Sequence, residues 1–327
     1  MPDFATPFAA RPGFARMFRP GALTLGLLFP IESYDGPVPR MAVDEQVDRA
    51  RLAEAYGFTA LWARDVPLLD PTFGDAGQMY DPYVWLTHIA AHTSRIGLAT
   101  GSSVLPLRNP IDVAKAAASV DLLSVERLVL GIATGDRGAE FPAYGLNRED
   151  SGDLFRASVE ALRRLWAEDF PPLDSMFGTM RDVGLLPKPV GRHLPLLVTG
   201  NSRQSLQWIA RHADGWLTYP RAVSQQQIVT ASWRQALQEA EEPDKPFAQS
   251  LYIDLAEDAN AGPTPIHLGF RSGHNYLIKH LNQLRDIGVN HVLINLKYGR
   301  RPVDEVLQEL AEAVVPRFGA DYPLTTS

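Results

Sequence analysis

The sequence predicts a (β/α)₈ barrel with long loops at the carboxyl ends of its strands, and three observations lead there. Strand-like and helix-like hydrophobic patterns alternate eight times along the chain. The first strand ends Phe29-Pro30-Ile31-Glu32, without the glycine fingerprint that opens a doubly wound dinucleotide sheet. The length of 327 residues suits one large barrel.

Each element has its own warrant. Residues 1–20 carry Arg11, Arg16 and Arg19 among Pro, Phe and Ala, and read as a loosely packed arm. The barrel domain then spans 21–320, and 321–327 form a flexible tail. Residues 22–30 make strand one, with Leu23, Leu25, Leu27 and Leu28. Val43, Val47, Ala50, Ala53 and Tyr56 recur at helical spacing over 44–56, and Gly57 ends that helix. Strand two covers 59–64. A helix over 81–93 starts at Asp81 as cap with Pro82 at its first position. Strand three (96–104), helix 110–123, strand four (127–133) and helix 153–166 follow. Residues 169–194 hold Pro171, Pro172, Pro187 and Pro189 with little periodicity, and are an excursion. The alternation resumes with strands at 196–199, 215–219, 249–255 and 289–296. Helices over 202–212, 224–240, 275–286 and 303–315 follow them in turn. An irregular stretch runs from 256 to about 271.

Composition narrows the function. Lys plus Arg is 31 against 38 Asp plus Glu, a formal charge of −7 without a basic tract, which disfavours nucleic-acid or anionic-membrane partners. Zero cysteines exclude disulfides, iron–sulfur clusters, thiolate zinc and cysteine nucleophiles. No apolar segment of signal-peptide type follows the N-terminal arginines, so a soluble, cytoplasmic protein is expected.

In a barrel the residues just beyond each strand carry the chemistry. Glu32 follows strand one. Arg64 and Asp65 follow strand two, either as a pair at the pocket mouth or as a salt bridge holding a loop. The loop 67–80, with Phe73, Gly74, Asp75, Gly77 and Tyr80, is long enough for a lid. Thr100, Gly101, Ser102 and Ser103 end strand three with small side chains that suit a flat ligand, and Asn109 caps the next helix. Thr134, Gly135, Asp136 and Arg137 follow strand four, and Arg156 in the next helix is placed to reach back. Gly200, Asn201, Ser202, Arg203, Gln204 and Ser205 follow strand five at a helix start, the best anion site in the chain. His88 and His92 read as packing or surface residues, while His267 and His274 flank a loop after strand seven, where a ligand group could sit. No set of side chains has metal-ligand spacing. Of the five lysines only Lys297 lies near a strand end, which disfavours a sugar-phosphate lyase or isomerase.

Four segments in this order resemble the bacterial-luciferase-like, flavin-dependent monooxygenases, within them the luciferase-type oxidoreductases: Ala63-Arg64-Asp65-Val66-Pro67, Leu105-Pro106-Leu107-Arg108-Asn109-Pro110, Gly135-Asp136-Arg137 and Asp214-Gly215-Trp216. The resemblance runs from about Leu23 to Phe318. It implies a barrel that binds reduced FMN, or in one branch F420, at the strand ends. It also implies a non-prolyl cis peptide at Gly101–Ser102 against the ring and a cofactor phosphate at Ser202 and Ser205. The family's phosphate-binding arginine after strand four has no counterpart, since Thr134 stands there. Arg137 and Arg156 are the two substitutes. The luciferase catalytic histidine has no counterpart either, and Arg64 and Asp65 occupy that loop. The implied activity is a monooxygenase in which dioxygen and reduced FMN, supplied by a separate reductase, oxidise a small organic substrate through a peroxyflavin. F420-dependent hydride transfer and a non-catalytic flavin-binding protein are the alternatives. The family expectation is a homodimer.

Overall fold

A computed structural model describes residues 7–19, 21–73, 77 and 79–318. Gly74, Asp75 and the 321–327 tail lie outside them. Eight parallel strands close on themselves: β1 (Thr24–Leu28), β2 (Ala60–Ala63), β3 (Gly97–Thr100), β4 (Leu128–Ala133), β5 (Leu196–Thr199), β6 (Gly215–Thr218), β7 (Phe247–Leu255) and β8 (His291–Asn295). Closure is the β8–β1 pairing, with Thr24 opposite His291 and Leu27 opposite Ile294. The helices between are α1 (Val43–Ala55), α2 (Pro82–His92), α3 (Pro110–Leu123), α4 (Ser151–Ala167), α5 (Leu206–His212), α6 (Val223–Glu239), α7 (His274–Asp286) and α8 (Val303–Glu309). Both expected caps are present. Asp81 accepts from Tyr83 N and Val84 N, and Asn109 accepts from Ile111 N.

Strand alternation splits the apolar residues into two sets. Leu61, Leu98, Leu130, Leu196 and Ile294 face the helices. Trp62, Ala99, Val129, Leu197, Leu217, Ala248 and Leu293 fill the barrel interior.

The N-terminal arm is not loosely packed. Pro12–Met17 is a short helix, and Phe14, Met17 and Phe18 are buried in the interior cluster. Burying three such side chains stabilises the fold by about 5 kcal/mol. Six helical residues are too few to show a readable period, so the plug was hidden. A polar thread joins it to the interior. Trp62 Nε1 donates to His291 Nε2 at 3.0 Å, and His291 Nδ1 lies 2.7 Å from Thr24 Oγ1, which bonds the Met17 carbonyl. Burial pushes His291 down to about 3, so the ring is neutral and serves once as acceptor and once as donor.

Other differences are local. Residues 173–180 of the excursion form an antiparallel hairpin. The stretch after β7 is a second hairpin, Thr264–Ile266 with Gly269–Ser272, whose second strand pairs with β7. Its residues are mostly exposed or half-buried, so no hydrophobic alternation marks it. Helix α5 begins at Leu206, later than the sequence suggests, because 200–204 form a turn. Helix α8 continues as π-helix and 3₁₀ turns to Arg317.

Candidate active site

The site lies at the carboxyl ends of β2 to β6. Strand β3 stops at Thr100, the Gly101–Ser102 peptide is cis, and a two-residue strand, Ser103–Val104, resumes beside β4. A Cβ on Gly101 would sit 3.2 Å from Trp62 Cε3 and 3.8 Å from Leu28 and Leu293 methyls. Gly101 therefore lies flat on the apolar interior, and its bare backbone lets a planar ligand come close. Ser102 Oγ hydrogen-bonds Thr199 Oγ1, tying this floor to the end of β5. The other two residues of the run do not face the opening. Thr100 Oγ1 donates to the Gly131 carbonyl at 2.7 Å and Ser103 Oγ accepts from Tyr83 Oη at 2.9 Å, both fully buried. Strand alternation turns Thr100 away from the interior, and Ser103 is held by α2.

Asp65 does not pair with Arg64, and it is not free to act on a substrate. Its two oxygens accept from Arg108 Nε and Nη2 at 2.7 Å each, and Oδ2 also accepts from Val104 N at 3.0 Å. Arg108 continues to Asp81 at 2.7 Å. This bidentate fork makes Asp65 a positioning residue for the segment after Ser102. Nothing but the Pro106-Leu107-Arg108 motif hinted at Arg108 in the sequence. Arg64 instead reaches Tyr34, with Nη2 at 3.4 Å from the hydroxyl. The loop covers it: a Cβ on Gly77 would collide with the Arg64 guanidinium at 1.6 Å.

The turn after β5 carries three left-handed residues, as an anion cradle does. Gly200, Ser202 and Arg203 have φ of 57°, 42° and 54°. Ser202 is buried, with Oγ donating to the Thr199 carbonyl at 2.8 Å. Gln204 Nε2 donates to the Gly152 and Ser202 carbonyls, and its Oε1 accepts from Arg156 Nη1 at 3.0 Å. Arg156 is thereby held at the turn, 48 residues away in sequence. Arg203 reaches outward to the Glu149 carbonyl at 3.3 Å. Ser205 Oγ caps α5 by accepting from Trp208 N at 3.1 Å, which leaves its O–H to donate.

After β4, Thr134 is buried at the rim. The Arg137 guanidinium covers the Phe73 ring at 4.7 Å and lies 3.8 Å from Glu140. Glu140 is buried, and desolvation raises it to about 7 against the pull of Arg137. A group held above its unfolded value of 4.5 stabilises the fold below pH 4.5 and loses that contribution as pH rises to 7. Glu140→Gln is therefore expected to gain stability relative to the native chain between pH 5 and pH 8. Urea midpoints at both pH values check this, and a constant difference would refute it.

Three further rim residues have structural partners. Glu32 accepts from Arg40 N, Met41 N and Gln46 Nε2, so it holds a loop. His274 Nδ1 meets Glu309 at 2.7 Å, linking α7 to α8. His267 packs at 5.8 Å on Tyr252 and 6.1 Å on Tyr298. His88, exposed, and His92, half-buried, make ring contacts on the face of α2. Among the described residues no three His, Asp or Glu side chains converge on a metal position.

Comparison with known proteins adds an independent line. A family model described as luciferase-like monooxygenase matches residues 23–261. An uncharacterized protein of Mycobacterium tuberculosis is 35% identical over 189 residues, 53% of this chain and 67% of the relative. An F420-dependent hydroxymycolic acid dehydrogenase from the same organism is 30% identical over 192 residues, 58% of this chain and 52% of that one. The oxygenase component of a flavin-dependent trigonelline monooxygenase from Acinetobacter baylyi is 27% identical over 138 residues, 42% and 37%. The chain thus spans about half or less of these two functionally described relatives. Among solved structures, monooxygenase RslO1 from Streptomyces bottropensis superposes with a TM-score of 0.75 at 21% identity, covering 90% of this chain and 99% of that one. An F420-dependent secondary alcohol dehydrogenase gives 0.74 at 16%, covering 90% and 98%. Both likenesses establish the barrel.

Proposed function

Because this chain belongs to the luciferase-like monooxygenase family, we propose that it is an oxidoreductase that binds reduced FMN across the β3–β5 rim and oxidises a small organic substrate with dioxygen. The observation that carries the reading is one continuous cradle. The bare floor at Gly101–Ser102 is tied through Thr199 to the anion turn at 200–204, beside which Arg156 stands, paired with Asp153. The residues fit the group: a flat apolar floor suits a ring, and left-handed backbone with a buried hydroxyl and a guanidinium suits a phosphate.

When bound, the reduced ring would supply the electrons for oxygen activation. The chain's own residues do the rest. Ser202 and the 200–204 amides hold the phosphate end, with Arg156 as its charge partner. Trp62, Leu28 and Leu293 back the floor and keep water from it. Asp65 and Arg108 hold the Val104 amide and so the segment after the floor. The Acinetobacter relative is described as an oxygenase component, which supports a separate reductase as electron source here. F420 in place of FMN is the second reading, favoured by the 30% identity to an F420-dependent dehydrogenase.

Anaerobic titration of the purified protein with reduced FMN and, separately, reduced F420 tests both readings. Tighter binding of FMN with substrate-dependent oxygen uptake supports the first, and preference for F420 without oxygen uptake supports the second. In either case Arg156→Met is expected to weaken binding of the phosphorylated cofactor about tenfold, the loss of one charge-assisted hydrogen bond. Riboflavin, which lacks the phosphate, should bind both proteins alike. Equal loss for riboflavin would remove Arg156 from the phosphate site.

A further inference from the structure

Across the barrel from β3 and β4, the interior faces of β7 and β8 carry two polar side chains with donors to spare. Ser250 lies on β7. Ala248, two residues earlier, belongs to the interior cluster, while Leu251 and Ile253 face the helices. The pleat therefore turns Ser250 inward. It is half-buried, although Gln249 and Leu251 on either side are buried. With helices over the outer face, that exposure is toward the open mouth. Its hydroxyl has no hydrogen-bond partner among the described residues. Asn295 ends β8 on the same inner face as Leu293, and is 1% exposed. Its Oδ1 accepts from Lys297 N at 2.9 Å, which fixes the plane of the amide. Its Nδ2 is buried and lacks a hydrogen-bond partner among the described residues.

Both side chains bracket one residue of the floor. Ser250 is the partner of Leu293 in the β7–β8 register, and Asn295 stands two residues beyond Leu293. Leu293 Cδ2 in turn lies 3.8 Å from the position of a Cβ on Gly101. The donors therefore begin where the Gly101 floor ends. Beneath them the interior is hydrocarbon, with Leu28, Trp62 and Leu217. A flat ring laid on this floor has apolar packing below it and neutral donors at one edge. A buried amide N–H left unpaired is a cost to the fold that a bound acceptor removes. A hydroxyl and an amide, neither of them charged, suit carbonyl oxygens.

We propose that Ser250 and Asn295 set the orientation of the cofactor ring, by donating hydrogen bonds to the carbonyl-bearing pyrimidine edge that FMN and F420 share. The benzenoid edge then lies away from β7 and β8. The inference rests on the proposed function for the presence of the ring, and it holds for either cofactor. Ser250 can also accept from a ring N–H, whereas Asn295 Nδ2 only donates. Both are binding residues, and neither moves a proton or an electron.

Reduced FMN labelled with carbon-13 at its two ring carbonyls tests this. It is titrated anaerobically into the full-length native protein, Ser250→Ala, Ser250→Thr and Asn295→Leu, and followed by NMR. On the native protein a carbonyl resonance is expected to move downfield, as it does when the oxygen accepts a hydrogen bond. Ser250→Ala should lose part of that shift and bind about tenfold more weakly, the worth of one hydrogen bond. Ser250→Thr keeps the hydroxyl and should restore both. Asn295→Leu should also reduce the shift and the affinity. Thermal unfolding shows whether Asn295→Leu folds, and the two Ser250 variants decide the matter if it does not. An unshifted carbonyl on the native protein, or shift and affinity unchanged in Ser250→Ala or in a folded Asn295→Leu, overturns the proposal. In the last case a trapped water meets the Asn295 amide instead. If the native protein takes F420 and not FMN, the same proteins are titrated with reduced F420. Loss of affinity in Ser250→Ala with recovery in Ser250→Thr is then the expected result, and equal affinity overturns the proposal. Native binding of a cofactor without these effects sinks this inference alone, and binding of neither cofactor sinks the cofactor reading and this inference with it.

Discussion

Arg108→Met is expected to cost about 3 kcal/mol of folding free energy, because it strips a buried carboxylate of its fork. Among the described residues Asp65 keeps only the Val104 amide as a donor, and its side chain is 2% exposed. Asp81 loses its ion pair but keeps its capping role on α2. Urea unfolding measures the loss. A double variant, Asp65→Asn with Arg108→Met, should recover a large part of it, since no uncompensated charge remains. The consequence reaches the site, because the Val104 amide is what anchors the chain two residues beyond Ser102. Cofactor affinity should fall in the single variant as well. Full stability in Arg108→Met would mean that Asp65 is better solvated than its burial implies.

Gly101→Leu is expected to weaken binding of reduced FMN or F420 at least 100-fold, or about 2.7 kcal/mol. The first added carbon already lies 3.2 Å from Trp62 Cε3, and the floor below is packed by Leu28 and Leu293. A branched side chain therefore has to project into the opening, where the ring is proposed to lie. Gly101→Ala adds only that first carbon and should show a smaller loss, so the pair grades the effect by volume. Spectroscopic titration gives the affinities, and thermal unfolding of both variants separates exclusion from misfolding. Native affinity in a folded Gly101→Leu would move the ring off this floor.

Much of the site was legible because the barrel rule converts strand ends into positions. Gly101, Ser102, Ser202 and Arg156 were all named from residues that follow strands or open helices, and the structure brings them to one rim. The failures share a cause. Thr100 and Ser103 group with Gly101 in the sequence because they are small and adjacent, but each side chain's direction depends on the strand's pleat and on α2. Asp65 has Arg64 as its sequence neighbour, whereas its partner is 43 residues away. Ser205 reads from the sequence as a phosphate donor, and the delayed start of α5 gives it a second task as the helix cap. Gln204 was seen as one donor among several, and its part in holding Arg156 emerged only with the fold.

The sequence by itself determined the succession of eight strands and eight helices, the caps at Asp81 and Asn109, and the small-residue end of β3. Each of these follows from period, composition or capping within a few residues of chain. Only the tertiary structure decided that Pro12–Met17 plugs the barrel and that Asp65 belongs to Arg108. Those pairings are made when β8 meets β1 and distant loops gather at one rim. A local pattern states which face of a segment is apolar, but closure of the sheet chooses what that face and its charged neighbours meet.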